Sequence, residues 1–162
     1  EENIAFSLRC KGTSRSEQKR VAADMARLVG LTGFERSYPY QLSGGMRQRC
    51  GLARVLAANP SVMLMDEPFA AVDVQTRETL QEEIMRIKAQ TNCTIFFITH
   101  SIDEAVFLGD RVFLMKKDAL GGFDEFPISL PEPRGNAENR LHPEFLAARE
   151  RIYRAMRADG AH

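Results

Sequence analysis

The chain has 162 residues, room for one domain of ordinary size. With 44% hydrophobic and 27% charged residues it is neither a disordered tail nor a low-complexity chain. Lys plus Arg, at 22, balance Asp plus Glu, also 22, so no bulk charge draws it to nucleic acid or to an anionic membrane. Cys10, Cys50 and Cys93 are far apart and form no CxxC pair, which argues against a disulfide framework or a zinc site and fits a reducing cytoplasm. The purest apolar runs, Val62–Met65 and Ile95–Ile98, are far shorter than the ~20 residues that span a bilayer. Glu1 opens the chain without an initiator methionine or a basic, apolar leader, so the expectation is a soluble polypeptide belonging to a longer product.

From Ser14 to Val29, Val21, Met25 and Leu28 recur at helical spacing, with Ser14 or Ser16 to cap the start and Gly30 the end. A turn-rich stretch from Thr32 to Leu42 follows. Ser43-Gly44-Gly45 then leads into a second helix, with Ser43 near its N-cap and Asn59-Pro60 as its stop. Val62-Met63-Leu64-Met65 and Thr94-Ile95-Phe96-Phe97-Ile98-Thr99 are continuous apolar runs, a pattern of strands buried on both faces of a parallel sheet. Between them Leu80, Ile84 and Ile87 mark a crossover helix from about Val74 to Gln90. A short helix over Ile102–Leu108 and a third strand over Arg111–Met115 complete an α/β reading. After Leu120-Gly121-Gly122 the composition shifts, and Pro127, Pro131 and Pro133 point to an extended stretch outside the sheet's interior. A last helix from Pro143 to Met156 carries a surplus of arginine that reads as a solvated face.

Asp66-Glu67 ends the first strand, at the carboxyl edge where open α/β sheets bind ligands. Such a pair suits Asp66 ordering Mg²⁺ and Glu67 orienting or deprotonating a water that attacks a phosphoryl group. An ordinary strand end with a helix-initiating acid is the competing reading. Ser43-Gly44-Gly45-Met46 places glycines and free N–H groups at a helix start, an arrangement that accepts a phosphate. His100, after the second strand, falls at the same sheet edge and becomes a candidate contact for a γ-phosphate.

Leu42–Arg49, Met63–Pro68, Ala70-Ala71-Val72-Asp73 and Ile98-Thr99-His100, in this order and spacing, resemble the nucleotide-binding domain of ABC transporters. The methionine-bearing signature, Asp66-Glu67-Pro68-Phe69 and Thr99–Ala105 look most like the nitrate, sulfonate and taurine importer ATPases. The resemblance implies a partial P-loop NTPase fold, mainly parallel sheet with flanking helices. Residues 1–42 would form part of a helical subdomain, 43–120 the core and 121–162 a C-terminal extension. It also implies that Ser43, Gly44, Gly45 and Met46 are the signature, Asp66 the Mg²⁺ carboxylate, Glu67 the general base, Asp73 the D-loop acid and His100 the switch histidine. ATP and Mg²⁺ are the implied ligands. The implied partners are a second nucleotide-binding domain in a homodimer, transmembrane permease subunits and, through them, a solute-binding protein, on the inner face of the plasma membrane. Nucleic acid is not among them.

No G-x-x-x-x-G-K-[ST] occurs in the sequence, so nothing in it cradles the β- and γ-phosphates. The resemblance therefore covers the later part of the family's domain. The expected consequences are no appreciable ATPase from these residues alone, and self-association through an unpaired sheet edge. The alternative is a non-catalytic module that supplies Ser43-Gly44-Gly45 in trans to a partner. A soluble ABC-type ATPase of DNA maintenance is disfavoured by the absence of a basic stripe or a heptad coiled coil.

Overall fold

A computed structural model describes residues 1–70, 72–91, 93–116 and 121–159; Ala71 of the Ala70–Asp73 run and Leu120 at the composition break lie outside the described residues. Helix α1 (Phe6–Cys10) leads to α2 (Arg15–Leu28), whose N-cap is Ser14: its hydroxyl accepts from the Glu17 N–H at 3.3 Å. Helix α3 (Gly44–Leu56) starts on Ser43, and strand β1 (Val62–Asp66) follows the Asn59-Pro60 stop. Helix α4 (Val74–Gln90) crosses over to strand β2 (Thr94–Ile98). The two strands pair parallel, from Val62 opposite Thr94 to Asp66 opposite Ile98. A strand, a crossover helix and a parallel strand thus form the α/β unit expected from the apolar runs.

Helix α5 (Ile102–Leu108) and strand β3 (Arg111–Met115) keep their expected bounds, but β3 does not extend the parallel pair. It pairs antiparallel with β4 (Phe123–Pro127), from Arg111 opposite Pro127 to Met115 opposite Phe123. Strand β4 falls within the stretch that the prolines marked as extended and outside the interior of the parallel sheet. Pro127 sits at its very end, where a missing N–H costs little pairing. Helix α6 (Pro143–Asp159) closes the described chain three residues later than the stripe ending at Met156 implied.

Two cores hold these elements. Ala22, Ala26 and Val29 of the α2 segment meet Ala53 and Leu56 of α3, with Met63 of β1 and Ile87 of α4 beneath them. The alanines let two helices approach closely, which larger side chains at the same positions would prevent. In the second core Leu80 and Ile84 of α4, Val106 and Phe107 of α5, and Phe145 and Ile152 of α6 surround Phe69. Gly135, at φ +86°, passes so close to α4 that a Cβ there would stand 2.4 Å from Met85 Cβ, pinning the segment before α6 onto α4.

The expectation that β1 and β2 are buried on both faces is corrected. Met63 is buried and Ile95 and Phe97 pack against a core, yet Val62, Leu64, Phe96 and Ile98 face outward, Leu64 at 76% exposure. None of the described elements covers that face, so the continuous apolar pattern records a two-sided strand of which one side is open here. Phe113, Met115 and Phe123 leave a similar apolar face on the β3–β4 pair.

Phe107 is fully buried, and the Arg140 guanidinium stands 3.9 Å from its ring centroid. Phe107→Ala should destabilise the chain by about 3–5 kcal/mol, the usual cost of emptying an aromatic site in a packed core. A shift in the urea midpoint at unchanged slope checks it.

Candidate functional site

Parallel pairing sets the carboxyl ends of β1 and β2 side by side, and the two candidate acids leave β1 there. The Glu67 N–H donates to the Ile98 carbonyl at 3.0 Å, adding one rung beyond the strand. Glu67 itself adopts φ +44°, a left-handed conformation that costs a side-chain-bearing residue roughly 1–2 kcal/mol. Buried Phe69, 5.5 Å ring to ring from Phe97, anchors the turn that holds it. The result is a contact no spacing rule could foresee: Glu67 Oε1 lies 2.8 Å from His100 Nδ1. The imidazole is 82% exposed and the carboxylate about a third, so the pair sits at the surface of the sheet edge.

Asp66 is exposed beside them. Among the described residues no group of three His, Cys, Asp or Glu side chains is arranged to hold a metal ion. A single exposed carboxylate such as Asp66 is the kind of oxygen ligand that would suit Mg²⁺, which keeps several of its waters.

The second group of candidates gathers where α3 and α4 begin. The Ser43 hydroxyl accepts from the Met46 N–H at 3.2 Å, and the Arg47 guanidinium donates to the Leu42 carbonyl at 2.7 Å, bracing the entry. A Cβ on Gly44 would meet nothing within 4 Å, whereas one on Gly45 would come within 3.1 Å of the Thr76 methyl. Gly44 thus keeps the helix start open and Gly45 lets it lie against α4. Asp73 caps α4, accepting from the Thr76 N–H at 3.0 Å. The Thr76 hydroxyl, and then its N–H, hold the Asp73 carboxyl below its ordinary 3.8. Further along, Arg49 of α3 pairs with Glu83 of α4 at 2.8 Å. Burial pushes the Glu83 carboxyl up, against the opposing pull of Arg49 and Arg86.

The structure therefore brings Asp66, Glu67 and His100 to one edge and Ser43–Met46 and Asp73 to one pair of helix starts. Among the described residues no hydrogen bond or ion pair joins the first group directly to the second. The signature side meets the first turn of α4 at Thr76, and the histidine turn is linked to that turn only indirectly, through Thr99, Glu104 and Arg77. Arg77 Nε stands 3.8 Å from Glu104 Oε1, and Glu104 Oε2 accepts from the Thr99 hydroxyl at 2.6 Å. Glu104 is a residue that residue-by-residue reading passes over. The signal for it is Ser101-x-x-Glu104, the spacing of a capping box at the start of α5.

The chain is similar to known proteins. The family described as "ABC transporter" matches residues 1–70. The taurine import ATP-binding protein of Pseudomonas syringae pv. tomato is 50% identical over 163 residues, covering 98% of this chain and 62% of that protein. The nitrate import ATP-binding protein of Synechocystis is 38% identical, over 96% of this chain and 60% of its own. An ABC transporter ATP-binding protein of Methanocaldococcus jannaschii is 44% identical, over 96% and 57%. The chain thus spans about 57–62% of the length of these relatives. A solved structure of a metal-chelate-type ABC transporter in an inward-facing conformation superposes with a TM-score of 0.69 at 23% identity, over 92% of this chain and 56% of its own. The fold is shared.

A depressed carboxyl pKa contributes stability above the ordinary carboxylate range, and that contribution is lost as pH falls through the depressed value. Acidification below the ordinary 3.8 of Asp73 should therefore loosen the first turn of α4. Amide exchange at Thr76 is the measurement. Asp73→Asn keeps an accepting oxygen but has no charge to neutralise, so it should remove this acid-dependent step.

Proposed function

The chain belongs to the ABC transporter family of ATP-binding proteins, and from that premise we propose that it is the signature-bearing and Walker B-bearing part of an importer's ATP-hydrolysing subunit. The 2.8 Å contact between Glu67 and His100, at the sheet edge beside Asp66, is the observation that carries the reading. The transported solute is a small anion of the nitrate, sulfonate or taurine type; support comes from the 50% identity to a taurine import ATP-binding protein and the 38% identity to a nitrate import one. The working unit is a head-to-tail homodimer under transmembrane permease subunits served by a solute-binding protein, at the cytoplasmic face of the membrane. No helix among the described residues is long and apolar enough to cross a membrane.

The chemistry follows from the side chains. Mg²⁺, which Asp66 would hold, would supply charge neutralisation at the transferring phosphoryl group. Among the described residues Asp66 makes no side-chain hydrogen bond or ion pair, which leaves its carboxylate open to that ion's water shell. Glu67 has one oxygen engaged by His100 and the other open, so it can take the proton of an attacking water while its carboxylate is kept in place. His100 engages Glu67 through Nδ1, and its Nε2 would contact a phosphate oxygen. The helix start at Ser43-Gly44-Gly45 receives the γ-phosphate of the nucleotide held by the other subunit. Asp73, at the base of the neighbouring helix, faces the same subunit.

The sequence contains no G-x-x-x-x-G-K-[ST], so these residues alone lack the groups that hold a nucleotide's phosphates. Phosphate release by the chain should therefore equal that of its Glu67→Gln variant. Mixing it with the remaining part of the Pseudomonas syringae relative should produce Mg-ATP turnover. Glu67→Gln should then lower kcat by about 10²–10⁴, the range for loss of a general base. Turnover by the chain alone, abolished by Glu67→Gln, would refute the inactive-alone reading.

The same absence, beside an open Gly44, favours a second reading: a module that supplies the signature in trans. It expects the chain to restore turnover to a P-loop-bearing relative whose own signature serine has been replaced. Under that reading Glu67→Gln in this chain leaves the restored turnover unchanged, whereas Ser43→Arg abolishes it.

A further inference from the structure

Glu104 is 7% exposed, charged, and has no part in the chemistry derived above. A carboxylate is not buried at a helix start without partners, and here the partners are specific. The spacing Ser101-x-x-Glu104 would ordinarily send the glutamate back to the N–H of its own N-cap. In this chain that N–H is occupied by another group: Ser101 N–H donates to Thr99 Oγ1 at 3.0 Å, and Thr99 Oγ1 donates to Glu104 Oε2 at 2.6 Å. The threonine hydroxyl has been inserted into the capping box. His100 is the residue between the two ends of that insertion, so the relay closes a tight turn of backbone around it. The other Glu104 oxygen faces Arg77 Nε at 3.8 Å, and Arg77 Nη2 donates to the Val72 carbonyl at 3.4 Å, reaching the segment that carries Asp73.

The helix that bears Glu104 is fixed at its far end as well. Arg134, largely buried, donates to the Gly109 carbonyl at 2.7 Å and approaches those of Val106 and Phe107 at 3.5 Å, satisfying the carbonyl end of α5. Arg149 of α6 holds Asp103 at 2.9 Å. Helix α5 is thus a fixed post, and Glu104 is the point at which it grips the histidine turn.

We propose that Glu104 is a positioning residue, which sets His100 against Glu67 through the Thr99 hydroxyl and ties that pair to the Asp73 turn through Arg77. The inference deepens the reading of the Glu67–His100 pair and rests on it for its functional meaning. Exposed as it is, the His100 ring has no packing of its own to hold it at 2.8 Å from a carboxylate. Its backbone must be held instead, and the relay holds it.

The test uses the whole chain and the imidazole ¹⁵N signals of His100, with His142, whose Nδ1 accepts from the Glu144 N–H, as the internal control. Glu67→Ala defines the signals of a broken pair. Glu104→Ala and Thr99→Val should move the His100 signals to those values and leave His142 in place. Glu104→Gln, which retains an oxygen for the Thr99 hydroxyl, and Thr99→Ser, which retains the hydroxyl, should keep the wild-type signals. If Glu104→Ala does not fold, Thr99→Val decides alone. Wild-type His100 signals in a folded Glu104→Ala or Thr99→Val chain overturn the proposal. Because the readout needs no nucleotide turnover, failure of the ATPase assay with this relay intact would count against the functional reading and not against the positioning role.

Discussion

Everything in the candidate site depends on where the first turn of α4 lies. Asp73 caps it, Thr76 receives Gly45 of the signature helix, and the next residue, Arg77, reaches Glu104, which holds the histidine turn. An exposed N-terminal turn is the part of a helix that frays first, because its N–H groups lack intrahelical partners. This one is held by a depressed carboxylate, by the absence of a Cβ on a facing glycine and by a guanidinium bridge. Those restraints also connect the two groups of residues that separate subunits are proposed to use.

The rest of the molecule is arranged to keep that turn from drifting. Burial of Leu80, Ile84 and Ile87 fixes the axis of α4 between the two cores, so its start cannot shift without disturbing both. The Arg49–Glu83 pair adds a polar tie between α3 and α4 at partly buried positions, where removing Glu83 leaves the Arg49 charge without its counterion. On the opposite side Gly135 lets the chain before α6 lie directly on Met85. The C-terminal segment, which composition alone marks as an appendage, therefore braces both α4 and α5.

What was legible in the sequence was whatever depends on neighbours close along the chain. The bounds of α4 and α5 follow from periodicity, and Ser43 acts at the N-cap its position suggests. Strand β1 and its parallel partner follow from their apolar runs. Pairings distant in sequence were not legible. Glu67 and His100 are 33 residues apart, and their contact depends on the strand register and on a left-handed residue that no propensity favours. Strand β4 was hidden by prolines whose positional meaning, at the end of the strand, only its pairing with β3 supplies.

Glu104 shows how a local rule can be correct and still mislead. Ser101 and Glu104 are spaced as a capping box, and Ser101 does cap α5, its hydroxyl accepting from the Glu104 N–H at 3.4 Å. The reciprocal half of the motif is diverted to Thr99, a residue outside the helix and beside the histidine. A complete capping box would satisfy the same donors within the helix and leave the His100 turn unattached. Routing the bond through Thr99 makes α5 hold the loop as well as its own start, so a stabilising motif becomes a positional one at no cost in hydrogen bonds. The departure from the local rule falls at the candidate site, beside the one exposed imidazole that the proposed chemistry needs in place.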